Sequence, residues 1–397
     1  MLLGRFFGNE STKYGVIIDV GSGSVGMALL FSDPSSTEPQ ILWSHRERML
    51  IRAEDRLDTT KKLMATTILK AFLELGNDGL KALRQFDKSA TVAEIFVSIA
   101  APWSYTVVKT ISLNQEKKFR VTKKLIDELS LKATAQGKEA ASKDVLVKKL
   151  SLTQIGTTTI SASVNDYVTR DALNNEAQKL TLTQLTELAE NTIVEALRSA
   201  ADKILPGARL ELNTFMDTYY SALNALKPDT SEICLIDITA EATELGIVRN
   251  NILEYVTHVP FGSYTIARKI ATATSILKEE ALGYLRENDI DSTKALSESK
   301  REKLKTVVEE YENTISELFR RTGDALSIPK TIFMHTDAAA ESFFQTHLRE
   351  AAKRTTGLEH KIHPMTGKYF KPSAEHDSAI LLSAYVFHKN LSGSNSL

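Results

Sequence analysis

One cysteine, Cys234, is all that 397 residues contain, so no disulfide can form within the chain. Its neighbours Ile233, Leu235 and Ile236 are apolar. The thiol therefore reads as a packing side chain in a reducing compartment. No apolar run approaches the ~20 residues that a membrane-spanning helix needs. No charge sign predominates: 49 basic and 50 acidic residues leave a net charge of −1. That excludes a global field that would draw in nucleic acid or anionic lipid. The opening stretch, Met1 to Gly8, is apolar but too short for the core of a signal peptide, and reads as a frayed terminus. His360, His363 and His376 lie in a polar region without cysteine and read as solvated side chains, not metal ligands. What remains is ordinary globular material, 42% hydrophobic and 25% charged, long enough for two or more domains with a sizeable core.

Strand-like and helix-like segments alternate. Tyr14–Val20 and Val25–Phe31 read as strands paired through a Gly-Ser turn, with a third strand over 41–51. Leu63, Met64, Ile68, Leu69, Phe72 and Leu73 recur at helical spacing within 59–75. A polar bridge over 76–89 leads to an apolar strand over 92–100, closed by Pro102. Next come a strand over 107–113, a helix over 119–136, and strands over 145–152 and 157–164. A long amphipathic helix over 183–205 follows, with Leu185, Leu188, Ile193, Leu197 and Ile204 inward, and Pro206-Gly207 stops it. A strand over 209–213 and a helix over 218–226 close the first half. The second half restarts with strands over 232–238, 243–248 and 252–259. A helix begins at Tyr264, helices fill 276–326 around a polar loop over 289–300, and a short strand covers 331–334. The region 354–378 is polar and irregular, 378–390 is helical, and the Ser-Gly-rich end is a flexible tail.

Two segments stand out as copies of one device. Tyr14-Gly-Val-Ile-Ile-Asp-Val-Gly-Ser-Gly-Ser24 and Ile233-Cys-Leu-Ile-Asp-Ile-Thr-Ala-Glu-Ala-Thr243 each join an apolar strand, an aspartate, a short turn and a second strand. A phosphate needs backbone N–H donors at close range, and only glycine or small residues let the backbone approach. Gly21, Ser22, Gly23 and Ser24 meet that need. Asp19 and Asp237, at the two strand ends, are oxygen ligands suited to Mg²⁺. Plain hairpins with turn-capping aspartates would carry the same residues. Asp217 would orient an attacking water, or simply favour a helix N-terminus.

This order resembles the actin-like ATPase superfamily, and within it the branch of the division protein FtsA and the pilus protein PilM. Asp19–Ser24 resembles the first phosphate loop, Asp217–Leu226 the helix joining the halves, and Asp237–Thr243 the second phosphate loop. Ile332–Ala339 sits where the adenosine loop belongs, Ser378–Tyr385 resembles the second connecting helix, and Val256–Ser263 the strand and turn after the second loop. The resemblance implies an α/β, ribonuclease H-like duplicated fold, with two halves around a nucleotide cleft. It divides the chain into 13–104, an inserted SHS2-like α+β unit at 105–180, the remainder of the first half at 181–228, and 229–397 with a helical part at about 273–328. It implies ATP and Mg²⁺ held by Asp19, Gly21, Ser22, Gly23, Ser24, Thr239, Thr243, Gly262 and Thr336. Asp19 and Asp237 would serve the metal, Asp217 and Asp237 the chemistry. It implies a cytoplasmic scaffold at the inner face of the membrane that binds proteins of a division or pilus machine and self-associates, linked to the membrane only through partners or the N-terminus, with no nucleic acid.

The departures from that pattern weigh as much as the matches. Thr239, Ala240, Glu241 and Ala242 replace the glycines of the second loop, and Thr336 and Asp337 replace the adenosine-loop glycine pair. Side chains there crowd a phosphate, and an inward Glu241 would repel it. The family's basic C-terminal amphipathic helix is missing. The alternatives left open are a nucleotide bound with at most weak hydrolysis, a nucleotide-free adaptor, and an exopolyphosphatase- or kinase-type enzyme of the same superfamily.

Overall fold

The computed structural model describes residues 14–50, 57–144, 147, 149–287, 296–323, 328–366, 370 and 377–391. Its plan is one sheet built twice. In the first, β1 (Tyr14–Val20), β2 (Ser24–Phe31) and β3 (Gln40–Arg48) form an antiparallel meander, and β4 (Glu94–Ile99) returns parallel to β1. β9 (Arg209–Thr214) adds outside β4, giving the order β3-β2-β1-β4-β9. The second repeats it with β10 (Ile233–Ile238), β11 (Thr243–Arg249), β12 (Ile252–Val259), β13 (Thr331–Thr336) and β14 (Lys361–Pro364), in the order β12-β11-β10-β13-β14. β1 and β10 are apolar on every residue but the aspartate because each is covered on both faces.

The helices follow from that burial. In the first half, α1 (Leu57–Glu74) turns Met64, Ile68 and Phe72 onto the sheet beside α4 (Asn191–Ile204). Leu69 and Leu73 of α1 share the helical spacing but are exposed. The bridge expected over 76–89 is structured: a π-helical turn, Leu75–Gly79, runs into α2 (Leu80–Phe86), with Leu75 and Leu83 supplying core contacts. In the second half, α6 (Ser263–Thr274), α7 (Lys278–Glu287), α8 (Glu298–Arg320) and α9 (Glu341–Thr356) pack on the outer face through residues such as Tyr311, Phe319 and Phe344. Between the two sheets lie α5 (Phe215–Leu226) and α10 (Ser378–Leu391), whose residues share one core with both. The ring of Phe387 fills the place where a side chain at Gly15 would stand.

The inserted unit is a third sheet, β5 (Ser104–Arg120), β8 (Glu176–Glu190), β6 (Leu152–Val164) and β7 (Tyr167–Val168), in the order β5-β8-β6-β7, packed against α3 (Lys123–Lys143). Here the helix expected over 183–205 divides: 176–190 is strand and only 191–204 is helix. Thr181, Thr183 and Thr186 favour a strand, and pairing with β5 and β6 on both sides outweighs the Leu185–Leu188 spacing. The helix expected over 119–136 begins at Lys123, where Thr122 caps it by accepting from Leu125 N. The first of the two expected middle strands, over 145–152, is a turn where it is described, and β6 begins at Leu152. The irregular region 354–378 contains the end of α9 and the short edge strand β14. Glu298–Lys300 belongs to α8, not to a loop. The apolar start, His376, residues 289–295 and the C-terminal tail lie outside the described residues.

The inserted sheet is fastened to both halves. Glu187, fully buried, accepts from Thr214 N at 2.8 Å, at the junction of β9 and α5. Tyr105 meets His258 of β12 edge-on at 5.7 Å. Leu185, Val108 and Ile160 share a core with Val256 of the second half.

Candidate functional site, the cleft between the two turns

The two aspartate-terminated strands place their turns face to face, and the turns bond directly to each other. Ser22 Oγ donates to Thr239 Oγ1 at 2.7 Å and accepts from Glu241 N at 2.7 Å. A Cβ added at Gly23 would stand 2.5 Å from the Ala240 methyl. Ser22, Thr239, Ala240 and Ala242 are all buried. Thr239 Oγ1 also lies 3.1 Å from Ala101 O, so the second turn touches the loop after β4 as well. Thr243 and Thr336 turn to their own backbone: Thr243 Oγ1 donates to Phe261 O at 2.7 Å, and Thr336 Oγ1 accepts from Ala338 N at 3.3 Å.

The N-terminus of α6, where free N–H groups would suit an anion, is already engaged. Ser263 N donates to Thr239 O at 3.0 Å and Tyr264 N to Ala240 O at 2.8 Å. Gly262 precedes that helix, and any side chain on it would run into the carbonyls of Thr239 and Ala240. Glu241 turns away from the first loop onto α6. Arg268 holds it through two nitrogens, Nη1 at 2.8 Å and Nη2 at 2.5 Å, and Thr265 Oγ1 donates to it at 3.0 Å.

The acids of the cleft have partners that sequence reasoning missed. Asp19 is ion-paired with Arg46 of β3 at 2.7 Å. Burial raises its pKa, against the pull of the guanidinium. Asp237 is bonded to His335 Nδ1 at 2.7 Å, because β10 and β13 place the two residues side by side. Burial alone would lower the His335 pKa, but the bond to Asp237 and its charge outweigh that and raise it. Phe215, two residues before Asp217 on α5, packs 5.0 Å from that imidazole. Asp217 itself is buried in the first turn of α5. Glu244 stands opposite Asp237 across the β10–β11 pair, with no hydrogen-bond partner on either oxygen among the described residues. Burial, with Asp237 beside it, pushes its pKa well up, which keeps this carboxyl neutral. Asp337 lies over the first loop, its Oδ2 3.2 Å from where a Cβ on Gly21 would be. Burial pushes it up to about 7, against the pull of Arg46.

The sequence signals for these partners were weak. Arg46 is one basic residue in a strand of mixed polarity, and His335 is a lone histidine after a short apolar run. Neither lies at a spacing that predicts a contact with the aspartates.

A chain from the solved PilM–PilN type IV pilus biogenesis complex superposes with a TM-score of 0.57 at 11% identity, over 96% of this chain and 98% of the other. This is the actin-like fold. EutJ, an ethanolamine utilization protein of Carboxydothermus hydrogenoformans, aligns at a TM-score of 0.45 and 12% identity, over 98% of this chain and 92% of that one. A Bacteroides thetaiotaomicron protein described as having an actin-like ATPase fold aligns at 0.40 and 7% identity, over 94% and 96%. No protein-family model matches this actin-like chain, and no curated protein matches it in sequence.

The actin-like fold implies Mg²⁺ and ATP between the two turns, and the residues here do not fit them. Ser22, Thr239 and Ala240 occupy the gap between the loops, α6 has spent its first N–H groups, and Arg46 covers Asp19. No group of three His, Cys, Asp or Glu among the described residues is arranged to hold a metal ion.

Proposed function

We propose that this actin-like chain is a protein-binding scaffold of a membrane-linked machine, and that its two halves stay closed without nucleotide. The observation that carries this reading is the direct bond between the two turns, Ser22 to Thr239 and Glu241 N to Ser22. Ser22, Gly23 and Thr239 then hold the two turns together instead of holding ATP, while Asp19, Gly21, Ser24, Thr243, Gly262 and Thr336 shape the turns within their own halves. Asp237 ties β10 to His335 of β13 and Asp217 sits in the first turn of α5, instead of activating water. A phosphatase or kinase reading needs an acid directed at a phosphate, and Glu241 is tied to Arg268 and Thr265 instead.

A pilus-type machine is the first candidate. The support is the superposition over both full lengths with a chain of the PilM–PilN complex. No helix among the described residues is long and apolar enough to cross a membrane. In this reading a partner protein links the chain to the inner face of the membrane. A tagged chain isolated from its own host's membranes should bring down a membrane protein at fixed ratio, and neither EDTA nor added ATP should release it. Release by ATP, or failure to sediment with membranes, would contradict the proposal.

A further inference from the structure

Arg46 does more than neutralise one acid. It rises from β3 across Gly26, where a Cβ would stand 2.6 Å from its Nη2. Nη2 donates to Asp19 Oδ2 at 2.7 Å and Nη1 to Ser24 Oγ at 2.8 Å. Nε is ion-paired with Asp377 Oδ2 at 2.9 Å. The other oxygen of Asp377 accepts from Ala379 N at 2.9 Å and so caps α10. Only 11% of the Arg46 side chain and 5% of the Asp19 side chain is exposed. One guanidinium thus joins β1, the first loop and the helix that lies between the two sheets.

We propose that Arg46 is the resident cation of this cleft, a guanidinium bound by Asp19, Ser24 and Asp377 where the fold's resemblance places a divalent ion on Asp19. The inference rests on the closed-cleft reading and names the cation that holds the first loop in place. Buried carboxylates require a positive partner. Mg²⁺ would demand near-octahedral oxygens and several waters, whereas the Asp19 and Ser24 oxygens here are spread to match a planar fork. Lysine offers a point charge and cannot reach all three groups at once. Burial works against the charge on Arg46, but Asp377 and Asp19 outweigh it, so the guanidinium stays protonated. Asp377 is correspondingly held below the usual carboxylate range. Its burial works the other way, and the charge of Arg46 prevails.

The test is thermal unfolding of the full chain carrying Arg46→Ala, with and without low-millimolar guanidinium, in the absence of nucleotide. The variant should melt roughly 5 °C or more below the parent. Guanidinium should recover part of that loss while leaving the parent unchanged or slightly destabilised. An unchanged melting temperature overturns the proposal. So does a loss that guanidinium fails to restore, because Arg46 would then act by packing alone. If Arg46→Ala does not fold, Arg46→Lys and Arg46→Met decide instead. The lysine variant should melt clearly above the methionine variant, and equal values overturn the proposal. These outcomes are separable from the scaffold reading, which fails if the parent chain binds nucleotide, does not sediment with membranes, or releases its membrane partner on ATP.

Discussion

Replacing Gly262 with alanine should lower stability by about 3 kcal/mol. The added methyl would press on Thr239 O and stand 2.6 Å from both the carbonyl carbon and the oxygen of Ala240. These atoms cannot swing aside, because Thr239 O and Ala240 O accept from the first N–H groups of α6. The backbone at Gly262 is extended, at φ −129° and ψ −169°, so alanine carries no conformational penalty and the whole cost is steric. Relief therefore requires the second turn to part from α6 or from the first turn. Gly283→Ala, in α7 with nothing near its Cβ, is the control and should be neutral or stabilising. Denaturant titration of both variants measures the difference, and equal midpoints would remove the close approach on which the closed cleft depends.

His335→Ala should cost about 4 kcal/mol, because it strands the buried Asp237 charge beside Glu244. It also removes a ring packed against Phe215 and Tyr219. Asp237→Asn combined with His335→Ala should cost less than the sum of the single changes, since the double variant leaves no buried charge behind. The pH dependence carries a second signature. The folded pKa of His335 is raised above 6.5, so the pair's contribution is complete below that value and is lost as pH rises through the folded pKa. Asp337, raised from 3.8 to about 7, also makes stability fall between those values, because the folded state keeps a proton the open chain has released. Asp377, lowered by Arg46, contributes its stability in full above 3.8 and loses it only as pH falls below that value. Melting temperature should thus decline from about pH 4 upward in the parent, with the raised Asp19 and Glu244 adding to the fall, and His335→Ala should make the part above 6.5 shallower than in the parent. A parent melting curve independent of pH above 6.5 would refute the charged Asp237–His335 pair.

The duplicated plan was legible because its signals are local. Residues 14–31 and 233–248 alternate strand, aspartate, turn and strand, and sheet pairing follows from them. α5 and α10 were visible for the same reason, as apolar helices bounded by polar turns. Residues 176–190 were not. Leu182, Leu185, Leu188 and Ala189 satisfy a helical period as well as a strand buried between two others, and only pairing with β5 and β6 decides. β14 is four residues long and takes its place from pairing with β13 and from Gln345 of α9, which donates to Ile362 O at 2.9 Å. In the cleft, the loss of glycines from the second turn was readable, and it already placed nucleotide turnover in question. How the gap is filled was not readable. Ser22 and Thr239 are 217 positions apart, Asp237 and His335 98, and Arg46 meets Asp377 only because α10 returns beneath the first sheet. Contacts of that range are set by the packed fold and leave no periodic trace in the chain.

The measurement that bears most directly on a cleft closed without nucleotide is titration calorimetry of the full chain with ATP and Mg²⁺, paired with a phosphate-release assay. The account predicts no saturable heat up to millimolar ATP and no release above buffer. Saturable binding at micromolar ATP would show that the two turns part to admit a phosphate, and would contradict it.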